Sequence, residues 1–246
     1  MSAQPRTAMV LAAGLGTRMR PLTDAVPKPL LPIGGRPLLD HALDRLAEVG
    51  VETVVVNAHW RAEQIVAHLA ARAAAGRPPH TIVRPEAALL DTGGAVRAAL
   101  DLLGPDPFYV LNGDAFWLDG PRPALLRLAD AFDSDVDAVL LVQRTCQVHG
   151  DVGFGDFMVD KWGTPRRRAE REIAPYIYAG LQIISPALLA AAPDGAFSMN
   201  LAWDRALEAG RLRAVVHEGL WFHLSTPADL SDAESYLHMR LTGETR

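Results

Sequence analysis

Between Gly14 and Lys28 the chain carries residue types suited to holding phosphate. The stretch reads GLGTRMRPLTDAVPK, with glycines at 14 and 16, arginines at 18 and 20, and Lys28 set between Pro27 and Pro29. Glycine permits positive φ and close approach of backbone to a ligand. Successive amides in such a loop can line an anion-binding concavity. Arg18 offers a planar fork that pairs bidentately with phosphate, and Lys28 a compact point charge. The flanking prolines restrict φ around Lys28 and stiffen its segment. The pattern is neither the dinucleotide fingerprint G-x-G-x-x-G nor the phosphate loop G-x-x-x-x-G-K-[ST]. A glycine turn with solvated cations is the competing reading. Further on, Asp114 closes the segment VLNGD. It is either a carboxylate available for chemistry or a turn residue that satisfies backbone amides.

Positioning these groups requires strands that end beside one another. Apolar runs alternate with helical patterns. TAMVLAA, ETVVVNA, HTIVRP, PFYVLNGD and DAVLLVQR read as strands, while PLLDHALDRLAEVG, RAEQIVAHLAARAAAG, GGAVRAALDLLG and PALLRLADAF read as helices. Strand–helix–strand repetition predicts right-handed crossovers and a mostly parallel sheet with helices on both faces. Ligands bind such sheets outside the carboxyl ends of the strands. Those ends are Gly14–Lys28, Asn57–Trp60, Pro85–Gly94 and Asn112–Asp114. The second half is less regular. FGDFMVD and PYIYAGLQIIS read as strands, and Ser185-Pro186 and Thr226-Pro227 each set a capping hydroxyl before a proline that opens a helix. Asp229 adds a carboxylate to the first turn of the last helix, which is expected to pack on the sheet.

The 246 residues are read as one domain spanning 1–246. A net charge of −5 argues against nucleic acid as a partner, because a phosphate backbone needs a basic face. The single cysteine, Cys146, excludes an internal disulfide and a cysteine zinc site, and is read as a strand-end thiol without a role. No apolar run reaches membrane-spanning length and the N-terminus has no signal-peptide core, so a cytoplasmic protein is expected. His41, His68, His80 and His149 share no metal-ligand spacing. The mixed charges of Arg166–Glu172 are read as a solvated surface run, and His59 and Trp60 as pocket-lining or packing residues.

The segment LAAGLGTRMRPLTDAVPKPLLPIGGRPLLDHAL, with VVVN, DTGGAV and VLNGD, closely resembles the sugar-phosphate nucleotidylyltransferases. The resemblance implies a Rossmann-like, mostly parallel mixed sheet of the nucleotide-diphospho-sugar transferase type, and the reaction of an NTP with a sugar 1-phosphate to give an NDP-sugar and pyrophosphate, with Mg²⁺. Within the family, YAGLQIISPALL, DGAFSMNLAWDRALEAGRL and GLWFHLSTPADL look most like the branch that uridylylates N-acetylmuramate 1-phosphate in cell-wall sugar recycling. The alternatives kept open are another phosphate (mannose, glucose or heptose 1-phosphate, or phosphocholine) with GTP, TTP or CTP, and a catalytically inactive nucleotide-sugar-binding regulator. The chain is expected to be a monomer or dimer.

Two anions must meet in this reaction, so catalysis has to come from positioning and charge neutralisation. The resemblance assigns catalysis to Arg18, Lys28 and Asp114, with Asp114 as metal ligand. It assigns the nucleotide to Leu11, Ala12, Ala13, Gly14, Gly16, Thr17, Arg18, Lys28, Glu86, Thr92 and Gly93, and the sugar phosphate to Asn112, Asp156, Tyr178 and Gly180. Gly93 and Gly94 are expected to let backbone approach the base, with Asp91 or Thr92 capping the helix instead or as well. Gly155 is expected to permit close sugar contact, or else to mark a β-bulge. One departure stands out. Where the family carries Trp-x-Asp-x-Gly-Thr, this chain has Trp221-Phe222-His223-Leu224-Ser225-Thr226. His223 thus replaces a metal-binding aspartate, and histidine suits Mn²⁺ better than Mg²⁺. It either binds a softer metal, contacts phosphate as a cation, or leaves Mg²⁺ to Asp114 and the substrate phosphates, the last two being favoured together.

Overall fold

The computed structural model describes residues 4–148 and 152–242; His149 lies outside them. The first half contains β1 (Thr7–Leu11), β2 (Pro32–Ile33), β3 (Arg36–Pro37), α1 (Leu38–Glu48), β4 (Thr53–Ala58), α2 (Ala62–Ala74) and β5 (His80–Pro85). Then come α3 (Asp91–Ala98), α4 (Leu100–Leu103), β6 (Phe108–Asn112), β7 (Phe116–Leu118), α5 (Ala124–Asp130) and β8 (Ala138–Arg144). The remainder is β9 (Phe157–Val159), β10 (Pro165–Arg167), β11 (Tyr176–Ile184), α6 (Asn200–Glu208), β12 (Leu212–Val216), β13 (Leu220–Phe222) and α7 (Pro227–Thr242).

The strands β1, β4, β6 and β8 are apolar along nearly their whole length because both faces of the sheet are covered. Val10, Val54, Val56 and Leu111 pack with α1, α2 and α5 through Leu39, Leu43, Leu46, Ile65 and Leu125. The alternate residues Met9, Val55 and Val110 pack on the other face with α3, α4 and α6 through Val96, Leu103, Ala202 and Trp203. Among the described residues the central sheet has nine strands. β5, β4, β1 and β6 run parallel in that order, β11 inserts antiparallel between β6 and β8, and β12 runs parallel to β8. The mixed, mostly parallel sheet matches the expectation. The chain moves from β1 to β4 and β5, then returns to place β6 on the other side of β1. That reversal sets the carboxyl ends Leu11, Asn57 and Asn112 in register beside one another and opens a crevice there.

Three expectations change. The helix predicted over GGAVRAALDLLG starts earlier, at Asp91, and is split into α3 and α4 at Ala99. α7 does not lie on the central sheet. Leu230 and Ala233 bury instead in a separate cluster with Met19, Ile33, Phe116 and Phe222, formed by the region after β1 and the β7–β13 pair. The charged run at Arg166 is partly structured: β10 pairs with β9, and Arg167 lies over the rings of Phe157 and Trp203 while donating to Asp204 at 2.8 Å. The Ser185-Pro186 cap is present, with Ser185 accepting from the Ala187 amide.

Candidate active site

The loop after β1 is shaped by its glycines and held from beneath. Gly16 sits at φ 61°, and a Cβ there would come within 3.0 Å of the Thr23 methyl and 3.2 Å of Lys28 Cβ. Thr23 donates its hydroxyl to the Gly16 carbonyl at 2.8 Å, while Trp60 Nε1 and Gln64 Nε2 donate to the carbonyls of Thr23 and Ala25. The loop's shape is therefore set before any ligand arrives. Among the described residues no acceptor takes the amides from Gly14 to Arg18. Arg18 is exposed and makes no ion pair among the described residues. Lys28 is the opposite case. Only 11% of its side chain is exposed, and Nζ donates to Asp114 Oδ2 at 2.5 Å.

Asp114 is placed by the end of β6. The Gly113 amide donates to the Leu11 carbonyl at 2.8 Å, an approach that a Cβ at 113 would obstruct. Next to it, Asn57 ties three segments together. Its Oδ1 accepts from the Ala12 amide at 2.7 Å and its Nδ2 donates to Glu86 Oε1 at 2.7 Å. Glu86 Oε2 takes the Leu90 amide, so both carboxylate oxygens are engaged. Asn57 belongs to the site, yet the sequence marked only its strand end as a place to look. His59 bonds the Glu86 carbonyl and Trp60 the loop, so both act as supports.

These groups enclose a cavity of about 490 Å³. Of the expected nucleotide residues, Leu11, Ala12, Ala13, Gly14, Gly16, Thr17, Arg18, Lys28, Glu86 and Thr92 line it, with Asn112 and Asp114. Gly93 does not. Its amide donates to the Phe197 carbonyl at 2.9 Å, and a Cβ would overlap the Phe197 ring. The glycines of α3 thus admit the chain's own 195–197 segment. Asp91, at φ 56°, takes the Thr92 amide, and the Thr92 hydroxyl accepts from Met199 at the start of α6.

On the sugar side only part of the expected group assembles. Gly180, at φ 82° within a register shift of β11, leaves room for Asn112; a Cβ would come within 3.2 Å of Asn112 Nδ2. Asp156 Oδ2 accepts from the Tyr178 amide at 2.9 Å, which satisfies backbone at that irregularity. The Tyr178 ring packs edge-on against Trp203 at 4.7 Å, and burial pushes its phenol far above the usual range. Neither Asp156 nor Tyr178 lines the cavity. The space beside Gly155 is filled by the Ala174 carbonyl, so close sugar contact is not what that glycine serves.

The nucleotidyl transferase family model matches residues 7–161. The chain belongs to this family. It is 42% identical to the N-acetylmuramate alpha-1-phosphate uridylyltransferase of Caulobacter vibrioides, over 96% of this chain and 99% of that protein. It is 33% identical to the protein of the same name from Neisseria meningitidis serogroup B, over 93% and 96%. A solved UDP-glucose pyrophosphorylase, complexed with UDP-glucose, shares the fold with a TM-score of 0.78 at 16% identity, over 96% of this chain and 99% of that one.

As a nucleotidyltransferase the chain falls in a family that generally uses a divalent metal. Among the described residues no three His, Cys, Asp or Glu side chains stand close enough to form a metal cage. Glu86 is already engaged. Asp114, with 40% of its side chain exposed, lines the cavity, as does Asp91, whose Oδ1 takes the Thr92 amide. One carboxylate plus substrate phosphates is a set that Mg²⁺ accepts, since it keeps waters and needs no all-protein cage. The donor set therefore fits Mg²⁺. The His223 ring lies tilted against that of Trp221, with centroids 5.7 Å apart. Burial holds its imidazole below the ordinary 6.5, and the nearby charges of Arg18 and Lys28 push the same way. That direction disfavours the cationic ring, while the nearby carboxylates Asp229 and Asp114 act to favour it.

Proposed function

We propose that this nucleotidyltransferase transfers a uridylyl group from UTP to N-acetylmuramate 1-phosphate, releasing pyrophosphate, in cytoplasmic recycling of cell-wall sugar. The near-full-length likeness to the two uridylyltransferases supports the substrates. The observation that carries the chemistry is the Lys28–Asp114 pair beside unengaged loop amides and a free arginine. An oxygen of the sugar phosphate attacks the α-phosphorus while the bond from that phosphorus to the β-bridging oxygen breaks, and pyrophosphate leaves with the electron pair. No covalent enzyme intermediate is needed. The loop amides and Arg18 hold the β- and γ-phosphates and take up the charge that grows on the leaving group. Lys28 neutralises the α-phosphate and the incoming monoester, so the two anions can approach. Asn112 orients the sugar phosphate, with Gly180 giving its amide room.

Mg²⁺, bound by Asp114 and the substrates' phosphate oxygens, would supply further charge neutralisation. The hydrogen bond from Lys28 fixes the carboxylate in place for that role.

A panel of four NTPs against several sugar 1-phosphates and phosphocholine, scored by pyrophosphate release with Mg²⁺ and with Mn²⁺, tests the proposal. UTP with N-acetylmuramate 1-phosphate should give the fastest release. Faster release with another pair reassigns the substrate, and nucleotide binding without release from any pair marks a regulator instead.

A further inference from the structure

Ser225 lies in the turn between β13 and α7, where the family segment has glycine. It is 5% exposed, it lines the cavity with Arg18, Lys28 and Asp114, and its Oγ has no hydrogen-bond partner. We propose that the Ser225 hydroxyl donates a hydrogen bond to a phosphate oxygen of the bound substrates, an inference that rests on the nucleotidyl-transfer reading above.

A buried hydroxyl without a partner weakens the folded state, and glycine or alanine would avoid that cost. The backbone around it is fixed for other reasons. Asp229 Oδ2 accepts from the Ser225 amide at 2.9 Å and the Thr226 amide at 2.7 Å, and the Asp229 amide donates back to the Thr226 hydroxyl at 3.3 Å. This reciprocal cap starts α7 and leaves the Ser225 hydroxyl unused. Leu224 anchors the turn in the same apolar cluster as Met19, the residue after Arg18. Ser225 is therefore held by a rigid turn next to the loop that carries Arg18. Its neighbours select the acceptor. Arg18 and Lys28 make the space favourable for an anion, and Asp229 is occupied by the two amides. A phosphate oxygen meets both requirements, being negatively charged and able to accept the proton.

The phosphate belongs either to the nucleotide or to the sugar 1-phosphate, and equilibrium binding separates the two. Wild type, Ser225→Ala and Ser225→Thr are titrated with UTP, inorganic pyrophosphate, N-acetylmuramate 1-phosphate and uridine. Alanine should weaken phosphate-bearing ligands about ten-fold, the size expected of one hydrogen bond to a charged group, while uridine binding is unchanged. Loss confined to UTP and pyrophosphate assigns the contact to the nucleotide; loss confined to the monoester assigns it to the sugar phosphate. Threonine, which keeps the hydroxyl, should retain the affinity. The melting temperature of free Ser225→Ala should be no lower than wild type. Unchanged binding of every phosphate by Ser225→Ala overturns the inference, as does a lowered melting temperature with unchanged binding. If wild type turns over and the alanine variant matches it, this inference alone fails. If wild type binds neither UTP nor the sugar phosphate, the nucleotidyl-transfer reading fails with it.

Discussion

Each charged group at this site is set by what it touches. Arg18 is exposed and unpaired among the described residues, so it is free to engage a ligand. Arg18→Ala should lower kcat/KM by about 10²–10³-fold, the usual cost of removing one donor to developing charge, with little change in melting temperature. A drop in stability with normal kinetics would make Arg18 a structural residue. Asn57 is the contrasting case. Its amide serves both Ala12 and Glu86, so Asn57→Ala leaves a buried backbone donor and a carboxylate oxygen unpaired. It should cost about 1–3 kcal/mol of unfolding free energy, read by urea denaturation. The charged residues of the loop after β1 were legible because glycine frees the backbone, proline fixes it, and arginine carries a planar charged fork. Asn57 was not, because an asparagine ending an apolar strand is equally well a turn residue. Asp156 was expected at the sugar, yet it serves the β11 irregularity, which only the register of paired strands reveals.

The elements that frame the site are fastened by close backbone approach and by buried charge. α3 meets the 195–197 segment where Gly94 leaves no space for a side chain, and a Cβ there would overlap the Gly195 carbonyl. Gly94→Val should force these apart, unseat Thr92 and destabilise the fold. Unchanged stability of that variant would contradict the packing described here. α1 and α2 are joined by Asp40, which faces Arg72, His68 and Arg77, the Arg72 side chain being 2% exposed. Asp40→Ala leaves the buried guanidinium with Asp44 as its remaining carboxylate partner and should cost about 1–3 kcal/mol in urea denaturation. The long elements, β1, β4, β6, α1 and α2, were readable from apolar periodicity. The short pairs were not. β7 and β13 have three residues each, too few for a period, and their partners lie far apart in sequence. That missing pair is also why α7 was expected on the central sheet rather than over the β7–β13 cluster.

For the whole molecule, the acid side is the vulnerable one. Burial, the largest cause in each case, holds His41, His217 and His223 below their ordinary 6.5. The unfolded chain then binds protons that the folded chain refuses, so stability is full above about 6.5 and declines as pH falls through that value toward the folded pKa values. Burial works to raise Asp40 and Asp44, but hydrogen bonds from His68 and Arg77 to Asp40, and from Arg72 to Asp44, outweigh it and leave both below 3.8. Their contribution, present above 3.8, is lost as pH falls through the folded values. Melting temperature should therefore be level from pH 8 to 7 and decline in two stages below. A midpoint that rises between pH 7 and pH 5.5 would contradict this.

The central claim is that a cavity at the carboxyl ends of β1, β4 and β6 gathers enough positive charge to bring two phosphates together, with Lys28 and Asp114 at its floor. Pyrophosphate release from UTP and N-acetylmuramate 1-phosphate by wild type, Lys28→Ala and Asp114→Ala measures this directly. Both variants should stay folded and lose turnover by at least about 10²-fold. Wild-type rates from either folded variant would contradict the claim.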